Sequence, residues 1–471
     1  MRKSEGFALD TMPFLDHIAG EGADFSKAYT SMPACVPARV SMLTGRYPNA
    51  THVRTNHNAK DAFYAKDLLD VMKENGYKTA LCGKNHSHKK REDFDYWYEL
   101  SHEGGYGMKN EDTDEEKAFD EYLHDLKHLT DPNPTPHRLE CQGPYRAVSK
   151  SIEWIDELGE DDPFFLWLSF AEPHNPYQVP QPYHSLFPPD TLPPNLTDKA
   201  ALEDKSFKYR WLREMWEQSI PNFEEGIPRT RANYCGMLRL IDDQIKRIVE
   251  YLEESGLKDD TIIVFLSDHG DFAGEYGLIR KGPELPEVLS RIPMIFMGPD
   301  IKGQGKLANL HVSITDIMPS ICEAIGAEIP RGVQGHSLWP IITGIKKDDE
   351  NLDCAYMEHG FGGRYYDYDD DLDPEEEGAI NPYCTFDCLN SWTQAGTMRA
   401  VRKGKMKLIY DMDGNGQLYN LEKDPLETDN LFDKQGYEKD RADMMECLLT
   451  QIIRAQDTLP YPGRYILKER T

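Results

Sequence analysis

Four short apolar runs, Thr79-Ala80-Leu81, Phe164 to Phe170, Thr261 to Leu266 and Pro293 to Met297, constrain this chain more than any other feature. They lack the alternation of a half-exposed strand and are bounded by Gly, Pro or Asp, so they read as strands covered on both faces. Between and around them lie helical patterns at Pro13 to Glu21, Ala65 to Asn75, Tyr145 to Leu158, Ala232 to Ser255 and Ser313 to Ile325. In the fourth of these, Met237, Leu238, Ile241, Ile245, Ile248, Val249 and Leu252 recur at three- and four-residue steps, the stripe of a helix facing a core. This alternation predicts an α/β fold, a mixed and mostly parallel sheet flanked by helices. A polar stretch from Gly344 to Asn351 then divides a larger part, 1–345, from a smaller α+β subdomain, 346–471. There Thr397 to Arg402, Met406 to Tyr410 and Gln417 to Leu421 predict an antiparallel sheet closed by a helix from Arg441 to Ala455.

Charge narrows the partners. Lys and Arg total 53 against 82 Asp and Glu, a net charge of −29 in 471 residues. A field of that sign repels nucleic acid, though it leaves room for a local cationic pocket. No apolar run is long enough to cross a bilayer. Met1 to Asp10 lacks the apolar block of a secretory signal, so the chain as written reads as cytoplasmic. A signal upstream would make it periplasmic or secreted. Nine scattered cysteines do not form a disulfide framework, and Cys384 and Cys388 read as structural thiols. The acidic stretches Glu111 to Glu121 and Tyr368 to Glu377 read as solvated loops.

The chemistry gathers in six segments. Cys35-Val36-Pro37-Ala38-Arg39, followed by Ser41, Leu43 and Thr44-Gly45-Arg46, has the form C-x-P-x-R. Alone it would describe a buried thiol beside a surface arginine. It is followed in order by Gly83-Lys84-Asn85-His86, Glu172-Pro173-His174-Asn175-Pro176, Ile241-Asp242-Asp243-Gln244-Ile245, Ser267-Asp268-His269-Gly270 and Lys281-Gly282-Pro283 leading to Arg291-Ile292-Pro293. Together these resemble the type I, formylglycine-dependent sulfatases of the alkaline phosphatase superfamily. The resemblance continues through Met398 to Arg402, Lys407 to Tyr410, Leu418 to Leu421 and Asp424-Pro425, and so covers nearly the whole chain.

The resemblance implies an alkaline phosphatase-like fold and a sulfate monoester hydrolase whose Cys35 is oxidised to formylglycine by a maturation enzyme. It implies catalytic roles for Cys35, Arg39, Lys84, His86, His174 and Lys281, and a divalent metal held by Cys35, Asp268 and His269. Calcium is the family default. His269 stands where many members carry Asn, which brings manganese or magnesium into play. The residue types suit the reaction on their own account. A sulfate ester is an anion, so its site must neutralise nonbridging oxygens, present a nucleophile to sulfur and protonate the leaving oxygen. A hydrated aldehyde would attack with one hydroxyl and expel sulfate with the other. Arg39, one helical turn beyond Cys35, is expected to reach back to it. Lys84 and His86 are expected to bind sulfate and organise the nucleophile, and His174 and Lys281 to meet the leaving oxygen. His88 reads as a neighbour only.

Small sulfate esters or short sulfated sugars are the expected substrates, the organic half facing loops such as Tyr177 to Phe223 and Gly360 to Tyr383. The same scaffold would serve a phosphonate monoester or phosphodiester hydrolase, and a noncatalytic binder of sulfated ligands is a third reading. Oligomeric state is not legible. One departure stands out. The family opens with a buried strand that ends in metal-ligating acids, whereas only ten residues precede Thr11 and none forms an apolar run. Asp10 and Asp16 belong to the start and face of the first helix. A start upstream of Met1, a truncated gene and a noncatalytic relative all fit, and the intact Cys, Arg, Lys and His set favours the first. Each implies an unfilled position in the central sheet, with strand edges that promote association.

Overall fold

The computed structural model describes residues 1–105, 111–127, 129–302, 305–360, 396–456 and 459. Helix α1 (Pro13–Glu21) opens on a proline, whose missing N–H is no loss in a first turn. The next two N–H groups, of Phe14 and Leu15, donate to the Asp242 carboxylate at 2.9 and 2.8 Å. Helix α2 (Cys35–Thr44) buries every residue except Met42 and ends on Gly45 at φ 63°, a conformation that favours glycine. It therefore runs through the interior rather than over it.

Strands β1 (Lys78–Gly83), β2 (Tyr96–Glu99) and, after helix α3 (Gly143–Asp156), β3 (Phe164–Ser169) form a parallel sheet in the order β2-β1-β3. Helix α4 (Phe223–Glu254) begins nine residues before its expected start and runs through Pro228. It leads to β4 (Ile263–Leu266), which pairs antiparallel with β5 (Met294–Met297). The short strands Ala23–Phe25 and Gly305–Leu307 extend that second sheet. Phe164, Leu166 and Leu168 of β3 and Ile263 and Phe265 of β4 rest on one core with Trp154 of α3 and Ile241, Ile245 and Ile248 of α4. The sheets are thus neighbours over one helical layer, with mostly parallel pairings and helices around them. The fold is the expected mixed α/β architecture.

The expectation of two-sided burial fails at β3 and β4. Each pairs on one side only among the described residues, and most of their side chains are half-buried. One edge of each strand is therefore open.

A separate antiparallel sheet follows: β6 (Cys354–His359), β7 (Met398–Lys403), β8 (Met406–Asp411) and β9 (Gly416–Asn420), in consecutive order. Helix α5 (Glu438–Ala455) packs on it through Met444 and Leu448. The sheet is bound to the larger part by buried charge. Lys407 pairs with Glu287 at 3.2 Å and Glu427 at 2.9 Å. Lys205 lies 4.9, 5.4 and 5.8 Å from the rings of Tyr419, Tyr276 and Tyr209 and donates to the Glu427 carbonyl.

Residues 111–121 are not a plain loop. Thr113 and Glu116 form a reciprocal cap, and a helix spans Asp114–Leu126 with Phe119 and Leu123 buried one turn apart. Tyr368 to Glu377, Cys384 and Cys388 lie outside the described residues. Among the described residues, no helix is long and apolar enough to cross a membrane.

Candidate active site

The C-terminal ends of β1, β3 and β4 and the first residue of α2 converge. β1 and β3 come so close that a Cβ at Gly83, φ 107°, would lie 1.9 Å from the Ser169 carbonyl oxygen. Glycine at that position lets the chain turn and deliver Lys84 inward, its amide donating to the same carbonyl at 2.7 Å. The Lys84 ammonium then donates to Cys35 Sγ at 3.4 Å. From the far side, His269 Nε2 meets Sγ at 3.2 Å. His269 Nδ1 lies 2.8 Å from the Gly270 carbonyl, a contact that fixes the ring's orientation and points Nε2 at Cys35. Asn56 accepts the Val36 N–H at 3.0 Å and anchors the start of α2.

Arg39 does not return to Cys35 as expected. Its Nε donates to Asp268 Oδ2 at 2.8 Å, and Nη1 donates to the carbonyls of Lys84 (2.8 Å) and Asn85 (3.2 Å) and to Ser169 Oγ (2.8 Å). A full helical turn places the guanidinium below the thiol, at the level of the strand ends. Arg39 therefore acts on the site through Asp268.

His174 follows β3. Its Nδ1 donates to the Asn175 carbonyl at 2.8 Å, which leaves Nε2 to accept from Lys281 Nζ at 3.1 Å. His86 is packed beside Cys35, and its Nδ1 is buried with no partner. His88 lies apart, 2.6 Å from buried Asp67, and is structural. Asp16 likewise pairs with Arg2 at 2.8 Å and accepts from Ser4.

Electrostatics follow from this crowd. Burial alone would raise the Cys35 thiol, but Lys281, Lys84 and His269 bring it well below its ordinary value. Burial also works against the Asp268 carboxylate, yet His269, Arg39 and Lys84 hold it well below the usual carboxylate range. His269 is raised despite its burial because Asp268 and Cys35 lie beside it. Lys84 is lowered by burial and by Arg39. His174 is driven well below its ordinary value by burial, Lys281 and Lys84. The site is thus a buried, cation-rich anion trap in which Asp268 is the carboxylate beside Cys35.

Cys35, Asp268 and His269 offer ligand atoms within 4.8 Å of one another. They fit a divalent ion as a partial set. Calcium takes six to eight oxygens, of which this trio brings one carboxylate, so the imidazole and the group at position 35 shift the balance toward smaller or softer ions.

A Sulfatase family model matches residues 2–327. This chain belongs to the sulfatase family. It is 27% identical to an arylsulfatase of Clostridium perfringens over 97% of this chain and 92% of that protein. It is 25% identical to an N-acetylglucosamine-6-O-sulfatase of Bacteroides thetaiotaomicron over 94% of this chain and 82% of that one. The phosphonate monoester hydrolase of Agrobacterium radiobacter shares the fold, with TM-score 0.75 at 20% identity over 96% and 93% of the two chains. As a sulfatase, the protein brings every site residue expected from sequence to one place, including the predicted metal trio. Sequence reading missed Ser169, which braces Arg39, and His102, whose only signal was its place just after β2 at the same sheet edge.

Proposed function

We propose that the protein hydrolyses the sulfate monoester of a small molecule or short sulfated sugar, with Cys35 matured to formylglycine by a partner enzyme. The observation that carries this is Cys35 Sγ held between the Lys84 ammonium and His269 Nε2, with Lys281 and His174 hydrogen-bonded to each other beside it. The catalytic part is 1–345 and the C-terminal subdomain 346–471. The arylsulfatase and the N-acetylglucosamine-6-O-sulfatase above support this substrate class.

Lys84 and Lys281 neutralise the nonbridging oxygens, each worth about 3 kcal/mol where charge develops in a dry site. The proton shared between Lys281 Nζ and His174 Nε2 lies where a leaving oxygen would insert. Asp268, steadied by Arg39, accepts the proton of the attacking hydroxyl. Asp268, His269 and the residue at position 35 would hold a divalent ion. When bound, that ion supplies Lewis acidity toward the nucleophile and the sulfate oxygens.

The test is coexpression with a formylglycine-generating enzyme, peptide mass spectrometry of the Cys35 segment and turnover of an aryl sulfate. Unmodified Cys35 with no turnover would overturn the reading. The shared fold with a phosphonate monoester hydrolase motivates a second substrate class for the same site, which the ratio of kcat/KM on sulfate and phosphonate esters decides.

A further inference from the structure

The loop after β2 carries His102 into the leaving-group side of the site. Its ring stacks on that of His174, with centroids 3.7 Å apart and planes 20° from parallel. It also meets His86 edge-on, at 5.0 Å and 87°. His102 Nδ1 is buried with no hydrogen-bond partner, so no polar bond to the protein accounts for an imidazole at that atom. We infer that His102 is a positioning residue for His174, a flat shelf that fixes the plane of the His174 ring and so aims Nε2 at Lys281 and the leaving-group oxygen. This rests on the ester-hydrolase reading above and adds a residue to it.

Two hydrogen bonds set what the shelf must do. His174 is tethered at Nδ1 by one carbonyl and at Nε2 by one ammonium, and both lie close to its plane edge. Neither tether resists tilting of the ring about the line that joins them. A ring stacked on the face does resist it. The shelf must also tolerate a proton on His174 during turnover. A second imidazolium at 3.7 Å would repel the first, whereas an uncharged ring accepts a cation on its face. The groups facing His102 are His174, Lys84, His86 and Lys281, and those facing His174 are Lys281, Lys84, Arg280 and the Asn175 carbonyl. Burial and these cations hold His102 well below its ordinary value.

The experiment compares the matured protein with His102→Ala and His102→Phe on aryl sulfates whose phenols span a range of acidity. His102→Ala should slow the poorest leaving group more than about tenfold and the best less than about threefold, since only the former needs its oxygen protonated. His102→Phe keeps the shelf and should recover most of the loss. Histidine ¹⁵N shifts, with the His174 signals assigned from a His174→Asn variant, should show a single Nδ1–H tautomer in the parent. In His102→Ala they should show averaged tautomers, and in His102→Phe the single tautomer again. An equal loss across the whole substrate series, or unchanged His174 shifts in His102→Ala, overturns the inference. If the parent turns over no ester, the hydrolase reading fails and the ¹⁵N comparison alone decides His102.

Discussion

Replacing Arg39 with Met keeps most of the buried aliphatic stem and removes the guanidinium. That group satisfies four acceptors: Asp268 Oδ2, the carbonyls of Lys84 and Asn85, and Ser169 Oγ. The side chains of Arg39 and Asp268 are only 8% and 19% exposed, so the pair falls under the rule for buried rather than surface ion pairs. Removing one partner of such a pair costs about 3–5 kcal/mol. Each orphaned carbonyl adds about 1 kcal/mol unless water reaches it. Because the vacated volume opens toward the site, water recovers part of this, and we expect a net loss of about 4 kcal/mol. With ~2.1 cal/mol/K per residue, a chain of this size loses about 4 °C in Tm. The assay is urea unfolding with a chelator present, for Arg39→Met, Asp268→Asn and the double variant. If Arg39 exists to hold Asp268, the double variant loses less than the sum by at least ~1.5 kcal/mol. A single-variant loss below about 1 kcal/mol, or strict additivity, would refute the reasoning.

Three further outcomes are expected. Lys84→Met should move the pH midpoint of Cys35 alkylation upward in the unmatured chain, because Lys84 is one of the cations holding that thiol low; an unchanged midpoint would exclude the contact. Burial raises Glu172 to about 7, so its contribution to stability is present below its unfolded value and lost as pH rises through 7; Glu172→Gln should therefore stabilise more at about pH 8 than at about pH 5, and equal effects would remove the premise. The open edges of β3 and β4 should give concentration-dependent association in sedimentation velocity, and a strict monomer up to the solubility limit would count against it.

Much of this site was legible because its residues sit where strands end. Lys84, His174 and Asp268 each follow an apolar run, and strand ends are where α/β folds gather ligands. What remained hidden depended on distance in space. Nothing near Arg39 in sequence announces that its partner is Asp268, 229 residues away. β6 escaped notice because it ends in Glu358 and His359, residues that normally mark a surface but here are 2% and 1% exposed. The helix at Asp114–Leu126 was hidden by its own acidity, with seven carboxylates between Glu111 and Glu121 masking two apolar residues one turn apart. His102 lay in a Gly-rich loop with no pattern to single it out.

The lysine ringed by three tyrosines has a consequence for how this protein can be cut. Tyr276, which donates to the Leu426 carbonyl, lies five residues before Lys281, and Glu287, which receives Lys407, lies six residues after it. The segment that presents Lys281 is therefore clamped on both flanks by residues from the C-terminal sheet region. A shortened chain ending near residue 345 would keep Cys35, Lys84, His174, Asp268 and Lys281 and still lose the clamp that aims one of them. The smaller subdomain works as a gauge block for the larger one, and catalytic competence should track its presence.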